Sequence, residues 1–280
     1  LDFVVTFAVV IVAVAWNLVA AAGVGLVLAI LLFIREQMRG SVVRRKATGQ
    51  TVSSKRQRTQ AEREVLRSQG DLITVCELQG SLFFGTTDRL FTELEGDLAR
   101  CRCLILDMRR VQSVDYTAVH LLKQMESMMS SRDAHLVLSN LPAHLPTGRD
   151  LEVYFGEVGL VKSSRKVKVF DALDEAMEWA EDLLVLGAMP GAHDEGRPLD
   201  LGEFDLFRGV QDPGVLKVFR ELVEEQSIRA GETLFRYGET GDQMFLVRKG
   251  LMRVALPVGG NRHLTLATVP RGNFFGEMSF

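Results

Sequence analysis

The chain has 280 residues, 47% of them hydrophobic, and its 33 Lys and Arg against 36 Asp and Glu leave a formal net charge of −3. A protein that binds nucleic acid carries a basic patch or a clear positive excess, so this balance argues against nucleic acid as a partner. The three Cys residues are odd in number and lie in apolar runs, which indicates buried, reduced thiols and no metal site.

The first 34 residues are almost wholly apolar, with Asp2 as their one charged side chain. Residues 3–34 exceed the ~20 residues that a helix needs to cross ~30 Å of hydrocarbon, which predicts one or two membrane spans. Asn17, Gly23 and Gly25 favour a break and therefore two short helices; one tilted helix is the alternative. Because the sequence does not open on Met, we expect further spans upstream in the same chain.

Residues 35–68 form a basic segment, with ten Lys and Arg against three acids. Basic loops beside membrane segments stay in the cytoplasm, which predicts that the rest of the chain is cytoplasmic. Small and polar residues favour a flexible juxtamembrane linker here. Basic side chains close to a membrane attract anionic lipid by about 1 kcal/mol each, so residues 35–67 are expected to contact the bilayer.

Residues 71–185 alternate short apolar runs with amphipathic helical patterns, which predicts an α/β domain. Asp115 stands where it would cap a helix that begins after an apolar strand. Asp171 stands in the same position before the last helix. The predicted strands are residues 73–78, 82–84, 103–106, 135–138 and 166–170.

Residues 78–86, 104–107 and 114–118 resemble a STAS domain, and more narrowly the STAS domain at the C-terminal end of SulP-type (sulfate permease) anion transporters. Residues 23–35 are similar to the last membrane segment of those carriers. The resemblance implies a STAS domain over residues 69–186, attached to a transporter membrane domain in the same chain.

In STAS domains of bacterial sigma-factor pathways, the corresponding loop–helix junction reads Asp-Ser-Ser-Gly, and its first Ser is phosphorylated. This chain has Asp115, Tyr116, Thr117 and Ala118 there, so Tyr116 stands at the modified position. A structural cap by Asp115 is the favoured interpretation. Phosphorylation of Thr117, in the first turn, is the alternative, because a phosphate at a helix N-terminus meets free backbone N–H groups.

A Gly- and Pro-containing linker at residues 187–200 precedes a second domain over residues 201–280, in which Pro213 opens a helix. Gly turns then separate short apolar runs, with residues 259–260 as a hairpin tip. The predicted strands are residues 227–230, 233–237, 244–248, 251–256 and 264–269.

Residues 231–234, 238–242, 245–250 and 272–277 look like a cyclic nucleotide-binding domain, whose fold is a β-roll. The resemblance implies that Gly276 and Glu277 contact the ribose 2′-hydroxyl of cAMP or cGMP. The family's phosphate-binding Arg would follow Phe280, so the domain is incomplete here and we expect weak binding. A roll used only for protein contacts is the alternative.

No arrangement of nucleophile, base and orienting group emerges, which predicts that the chain is not an enzyme. The leading hypothesis is the C-terminal regulatory portion of a SulP-like secondary anion transporter, multi-pass in the plasma (inner) membrane, with both domains cytoplasmic. The alternative is a membrane-anchored signalling adaptor without transport activity. The tail of a cyclic-nucleotide-gated channel fits less well, because a whole α/β domain precedes the roll. Formation of a homodimer is left open.

Overall fold

The structure is a computed structural model that describes residues 2–39, 41–143, 145–146, 148, 150–161, 167–190, 197–207, 209–210, 212–239, 241–258 and 263–276. The chain divides into two compact units, Leu1–Lys46 with Cys76–Val169 and Ala47–Val75 with Phe170–Phe280.

The helices are α1 (Asp2–Ala15), α2 (Leu18–Arg39), α3 (Gln60–Gln69), α4 (Phe84–Arg100), α5 (Tyr116–Ser130), α6 (Leu151–Glu157), α7 (Leu173–Ala188) and α8 (Pro213–Leu222). Short 3₁₀ turns lie at Gly70–Leu72, Leu201–Glu203 and Asp205–Phe207. The strands are β1 (Val43–Thr48), β2 (Ile73–Leu82), β3 (Cys103–Val114), β4 (His135–Ser139), β5 (Val167–Phe170), β6 (Phe245–Leu246), β7 (Leu251–Pro257), β8 (His263–Pro270) and β9 (Phe274–Phe275).

The apolar N-terminal run forms a pair of helices and does not form the predicted membrane spans. Among the described residues, no helix is both long and apolar enough to cross a bilayer, so the prediction of one or two spans is wrong. The run breaks at Trp16 and Asn17, where the Asn17 side chain accepts a hydrogen bond from Ala20 N at 2.7 Å and so caps α2. The break leaves 14 residues for α1, and the sequence of the last turns of the 22-residue α2 includes the charged residues Arg35, Glu36 and Arg39.

The α/β sheet has five strands in the order β1-β2-β3-β4-β5, of which β2 to β5 lie in residues 71–185 and β1 lies in the predicted linker. The predicted strand at residues 82–84 is wrong, since Leu82 ends β2 and Phe84 begins α4. Strands β3 and β4 are parallel, in a register that runs from Cys103 opposite His135 to Asp107 opposite Ser139. Leu104, Ile105 and Leu106 have no exposed surface. A strand that is covered on both faces is apolar at every position, which explains this run of residues.

Helices α4 and α5 pack against each other beside this sheet, and their apolar faces enter one core. Leu90 and Leu94 of α4 are at most 1% exposed, and Leu122 and Met125 of α5 are fully buried. Burial of a side chain of this size contributes about 1.5–3 kcal/mol, so the core dominates the stability of the first unit.

The described part of the second domain has four strands, where the sequence predicted five. Strands β7 and β8 form an antiparallel ribbon close to the predicted bounds, and β6 pairs with β9 over two residues. Residues 227–230 and 233–237, which were predicted as strands, form none within the described residues, where a strand needs a hydrogen-bonded neighbour. The predicted hairpin tip at residues 259–260 lies outside the described residues.

The segment predicted as a linker, residues 35–68, contributes the end of α2, all of β1 and most of α3. Helix α3 begins with a capping box, in which Thr59 accepts from Glu62 N while the Glu62 carboxylate accepts from Thr59 N at 2.7 Å. The second linker, residues 187–200, holds the end of α7 and the buried Leu199 in its described part.

Candidate functional site

The junction between β3 and α5 holds the three residues that the STAS resemblance singled out. Asp115 Oδ1 accepts a hydrogen bond from Ala118 N at 2.7 Å, which is the geometry of an N-cap. Asp115 N donates to Leu82 O at 3.0 Å, so the junction lies beside the end of β2. Tyr116 and Thr117 are exposed in the first turn of α5, and any regulatory role for these three residues stays a prediction.

A buried carboxylate near the end of the parallel strand pair was read from the sequence only as the end of a strand. Asp107 is 3% exposed, and its Oδ1 accepts from Asn140 Nδ2 at 3.0 Å and from Arg109 N at 3.1 Å. The Arg109 guanidinium lies 3.2 Å from Oδ2 and compensates the charge. Asn140 has a φ of 51°, in the left-handed region that Asn tolerates. These bonds satisfy Asp107 within the domain.

The start of the predicted nucleotide cassette follows β9 at Gly276. This residue has a φ of +96°, and a Cβ added to it would lie 2.5 Å from Gln243 O. Only Gly fits such a close approach of two backbones at a positive φ. Glu277, the other predicted contact to the ribose, lies outside the described residues.

Three Phe rings line the β6–β9 pair that leads to Gly276. Phe245 and Phe275 stack with centroids 5.2 Å apart, and Phe235 lies 6.2 Å from each of them. Val247, Val269 and Phe275 form the small buried core beside these rings. The rings fix the strand pair next to the cassette, and Phe235 remains 47% exposed.

A cluster of charges between residues 54–58 and α7 was not anticipated from the sequence. The Arg56 guanidinium lies 3.1 Å from Glu178 and 2.9 Å from Asp182. The Arg58 guanidinium lies 2.8 Å from Glu181 and also contacts Asp182.

The side chains of Arg56, Arg58 and Glu181 are at most 7% exposed, so these ion pairs are largely removed from water. Burial alone would lower the pKa of Arg58, but the charges and hydrogen bonds of Asp182 and Glu181 outweigh burial and raise it. The signal in the sequence was the spacing of Asp174, Glu178, Glu181 and Asp182, which places four acids on one face of a helix.

These pairs bear on the predicted contact between residues 35–67 and anionic lipid. Within the same segment, Arg44 pairs with Glu77 at 2.6 Å and Lys46 pairs with Asp97. A basic side chain that is paired with a carboxylate attracts anionic lipid less than an unpaired one. Contact between residues 35–67 and lipid stays a prediction.

The thiols and acids of the described residues provide no metal site, since no three His, Cys, Asp or Glu there are grouped to hold an ion. Cys76, Cys101 and Cys103 are buried free thiols. Burial raises the pKa of Cys76 to about 12 and raises that of Cys103 as well. Such thiols stay protonated at neutral pH and react slowly.

Comparison with protein families decides what the two domains are. A family model described as the STAS domain matches residues 64–176, and one described as the cyclic nucleotide-binding domain matches residues 225–280. The chain contains a STAS domain and a cyclic nucleotide-binding domain. Both resemblances found in the sequence are thereby confirmed. The STAS match begins at residue 64, before the predicted boundary at residue 69, and takes in the last six residues of α3.

The curated proteins to which the chain is similar are named as proteins of different kinds. The chain is 26% identical over 228 residues to Glutaminase 2 of Bradyrhizobium diazoefficiens, which covers 81% of this chain and 35% of that protein. It is 26% identical over 172 residues to the vacuolar basic amino acid transporter VSB1 of Saccharomyces cerevisiae, which covers 57% of this chain and 16% of that protein. The chain thus spans about a third or less of the curated relatives it matches.

Among solved structures, a sulfate transporter family protein from Wolinella succinogenes is 28% identical, with a TM-score of 0.34. The match covers 41% of this chain and 88% of the solved one.

Proposed function

We propose that this chain is the regulatory portion of a SulP-like secondary anion transporter, in which the STAS and cyclic nucleotide-binding domains modulate transport. The observation that carries the proposal is that a STAS domain is followed, in one chain, by a cyclic nucleotide-binding domain. The SulP-like motif at residues 78–86 supports the kind of STAS domain, and the likeness to a protein named as a vacuolar transporter supports a carrier.

In this proposal the anion passes through a membrane domain elsewhere in the intact protein, and the two domains lie on the cytoplasmic side of the plasma (inner) membrane. Both matched families are regulatory and typically non-catalytic. A ligand regulates a carrier only if it binds two arrangements of the protein with different affinity, so the domains must exist in at least two arrangements.

The proposed ligand is a cyclic nucleotide held at Gly276 and Glu277. Gly276 has no room for a Cβ, which would lie 2.5 Å from Gln243 O, and in this proposal its backbone contacts the nucleotide while the Glu277 carboxylate accepts a hydrogen bond from the ribose 2′-hydroxyl. The family match over residues 225–280 supports this site. Binding is the first step to test, with a fluorescent cAMP analogue and a fluorescent cGMP analogue titrated into the chain.

The deciding experiment measures uptake of radiolabelled sulfate, bicarbonate or chloride by the intact protein in proteoliposomes, with and without cyclic nucleotide. We expect uptake, and a change with nucleotide of about fivefold or more, the lower end of usual allosteric coupling. Gly276→Ala should abolish the response. Gly241→Ala is the matched control, because a Cβ at Gly241 meets no atom within 4 Å. Absence of uptake for all three anions contradicts the proposal.

A second candidate is the regulatory portion of an enzyme. The similarity of 81% of this chain to part of a protein named Glutaminase 2 favours it, because the same pair of domains would then serve a catalytic domain. Ammonia release from glutamine by the intact protein, together with no anion uptake, supports this second candidate. Uptake without ammonia release supports the transporter.

A further inference from the structure

Residues 54–58 contact strand β8 on one side and helix α7 on the other. We propose that this segment, which we call the strap, couples strand β8 to helix α7, so that a change in the structure or dynamics of either element alters those of the other. The strap precedes the STAS match, which begins at residue 64, and lies far from the nucleotide-binding match, which begins at residue 225.

On one side the strap forms a single β-bridge with strand β8 of the β7–β8 ribbon. Gln57 N donates to Thr268 O at 2.8 Å, and Thr268 N donates to Lys55 O at 3.1 Å. Arg56 and Thr268 form a parallel bridge between these two bonds. Thr268 is fully buried, so its backbone groups have lost their contact with water and depend on this pairing.

On the other side the strap binds α7 through its alternate residues. Ser54 N and Ser54 Oγ donate to the two carboxylate oxygens of Glu181 at 2.8 and 2.6 Å. Arg56 and Arg58 follow at intervals of two, which places their side chains on the same face of an extended segment. That face meets Glu178, Glu181 and Asp182 in the ion pairs described above.

Lys55 ties the two sides together within one residue. Its backbone N–H donates to Asp174 Oδ1 at 2.9 Å, near the start of α7, while its carbonyl accepts from Thr268 N. Its ammonium donates to Thr265 O, also on β8. Movement of β8 relative to α7 must break one of these sets of bonds, because a residue that bonds to both cannot follow both.

Strand β8 continues directly to the predicted nucleotide site. Gly272 N donates to Val247 O at 2.8 Å, and Val247 N donates to Asn273 O at 2.9 Å. These bonds hold the turn between β8 and β9, and Gly276 comes immediately after β9. If the proposed function holds, nucleotide bound at Gly276 therefore acts on Thr268 and the strap through β9, the hydrogen-bonded turn and β8, and coupling is reciprocal.

The first test needs no nucleotide. It introduces a substitution in α7 and measures its effect at β8 and in the strap. Glu181→Gln removes the charge that Arg58 pairs with, and we expect amide hydrogen exchange at Thr268 and Gln57 to rise at least tenfold. Glu64→Gln on α3 is the matched control and should leave both amides unchanged, because its side chain is exposed. Exchange of Leu104 to Leu106 in β3 should stay slow, which shows that the change is local.

The same measurement on Arg56→Gln tests a substitution within the strap itself. Increased exchange at Thr268 in both variants, with β3 protected, supports the coupling. Unchanged exchange at Thr268 in either variant overturns it. If β3 also exchanges faster, the variant has unfolded globally and the milder Arg58→Lys decides by the same criterion.

The second test adds cAMP, then cGMP, and compares the wild-type chain with Arg56→Gln/Arg58→Gln. We expect nucleotide to change exchange of residues 174–182 in the wild type at least threefold, and the double variant to bind fluorescent nucleotide but to lose this response. An α7 response that persists in the double variant overturns the strap as the route. Failure of any nucleotide to bind overturns the proposed site instead, and the first test then decides on the strap alone.

Discussion

The core of the first unit and the roll of the second are held together by different forces. In the first, Leu104 and Leu106 are fully buried in one contiguous core. In the roll, β7 alternates exposed and half-buried side chains, and the core beside it has three buried residues. The strap adds hydrogen bonds at β8 and ion pairs at α7. A region held by a few polar contacts opens at lower free energy than an apolar core, which suits a part that must change its arrangement.

The largest expected loss of stability follows from removing apolar side-chain volume from the sheet. Leu104→Ala should destabilise the protein by about 2–5 kcal/mol, because a fully buried Leu leaves a cavity when truncated. Urea unfolding followed by circular dichroism gives the free energy. Leu251→Ala in β7 is the control, since this Leu is 42% exposed, and we expect a change below about 1 kcal/mol. Equal losses for the two variants would remove the contrast.

The next test breaks the ion pair between Arg58 of the strap and Glu181 of α7. Glu181→Ala leaves the buried Arg58 guanidinium without its carboxylate, and loss of one partner of a buried pair costs about 3–5 kcal/mol. We expect the loss at the lower end, because Asp182 still contacts Arg58.

Arg197→Ala serves as the comparison for Glu181→Ala. It breaks an exposed pair with Glu203, and such pairs contribute about 0–1 kcal/mol. Thermal unfolding of both variants at two salt concentrations measures the difference. A loss of less than 1 kcal/mol for Glu181→Ala would show that the buried cluster contributes little to stability.

Alkaline pH tests the first unit through its thiols. Cys76 keeps its proton in the folded state up to a pKa of about 12, whereas its ordinary pKa is 9.0. Above pH 9 the unfolded chain binds fewer protons than the folded one, so stability falls as pH rises, by about 1.4 kcal/mol per pH unit for one such thiol.

Urea unfolding of the wild type between pH 8 and pH 10.5 measures this slope. Cys76→Ala should make the slope shallower, and Cys103→Ala should act in the same direction because burial also raises the pKa of that thiol. Identical slopes for wild type and both variants would contradict a buried, protonated thiol.

The smallest expected effect concerns the junction before α5. Asp115→Ala removes the acceptor of Ala118 N and should destabilise the protein by about 1 kcal/mol, while Asp115→Asn keeps an acceptor and should cost only a few tenths. Thermal unfolding measures both. A Thr117→Ala variant with wild-type stability would agree with the exposed position of that side chain.

Predictions from the sequence succeeded where local pattern and packing agree. The apolar run at β3, the cap position of Asp115 and the turn glycines of the roll correspond to elements of the structure. The prediction of membrane spans is wrong, although hydropathy was high, because the break at Asn17 divides the apolar run and no helix among the described residues is both long and apolar enough to cross a bilayer. The sequence favoured that break, but the hydropathy of the undivided run determined the prediction.

The sequence by itself determined that an α/β domain precedes a Gly-punctuated β domain, because side-chain periodicity and turn residues are local properties of the chain. The tertiary structure alone decided the use of Lys55, Arg56 and Arg58. In the sequence these are basic residues of a polar stretch; in the fold they lie against acids of α7, more than a hundred residues later. Ion pairs between residues so far apart depend on how the elements pack, and no local pattern specifies that packing.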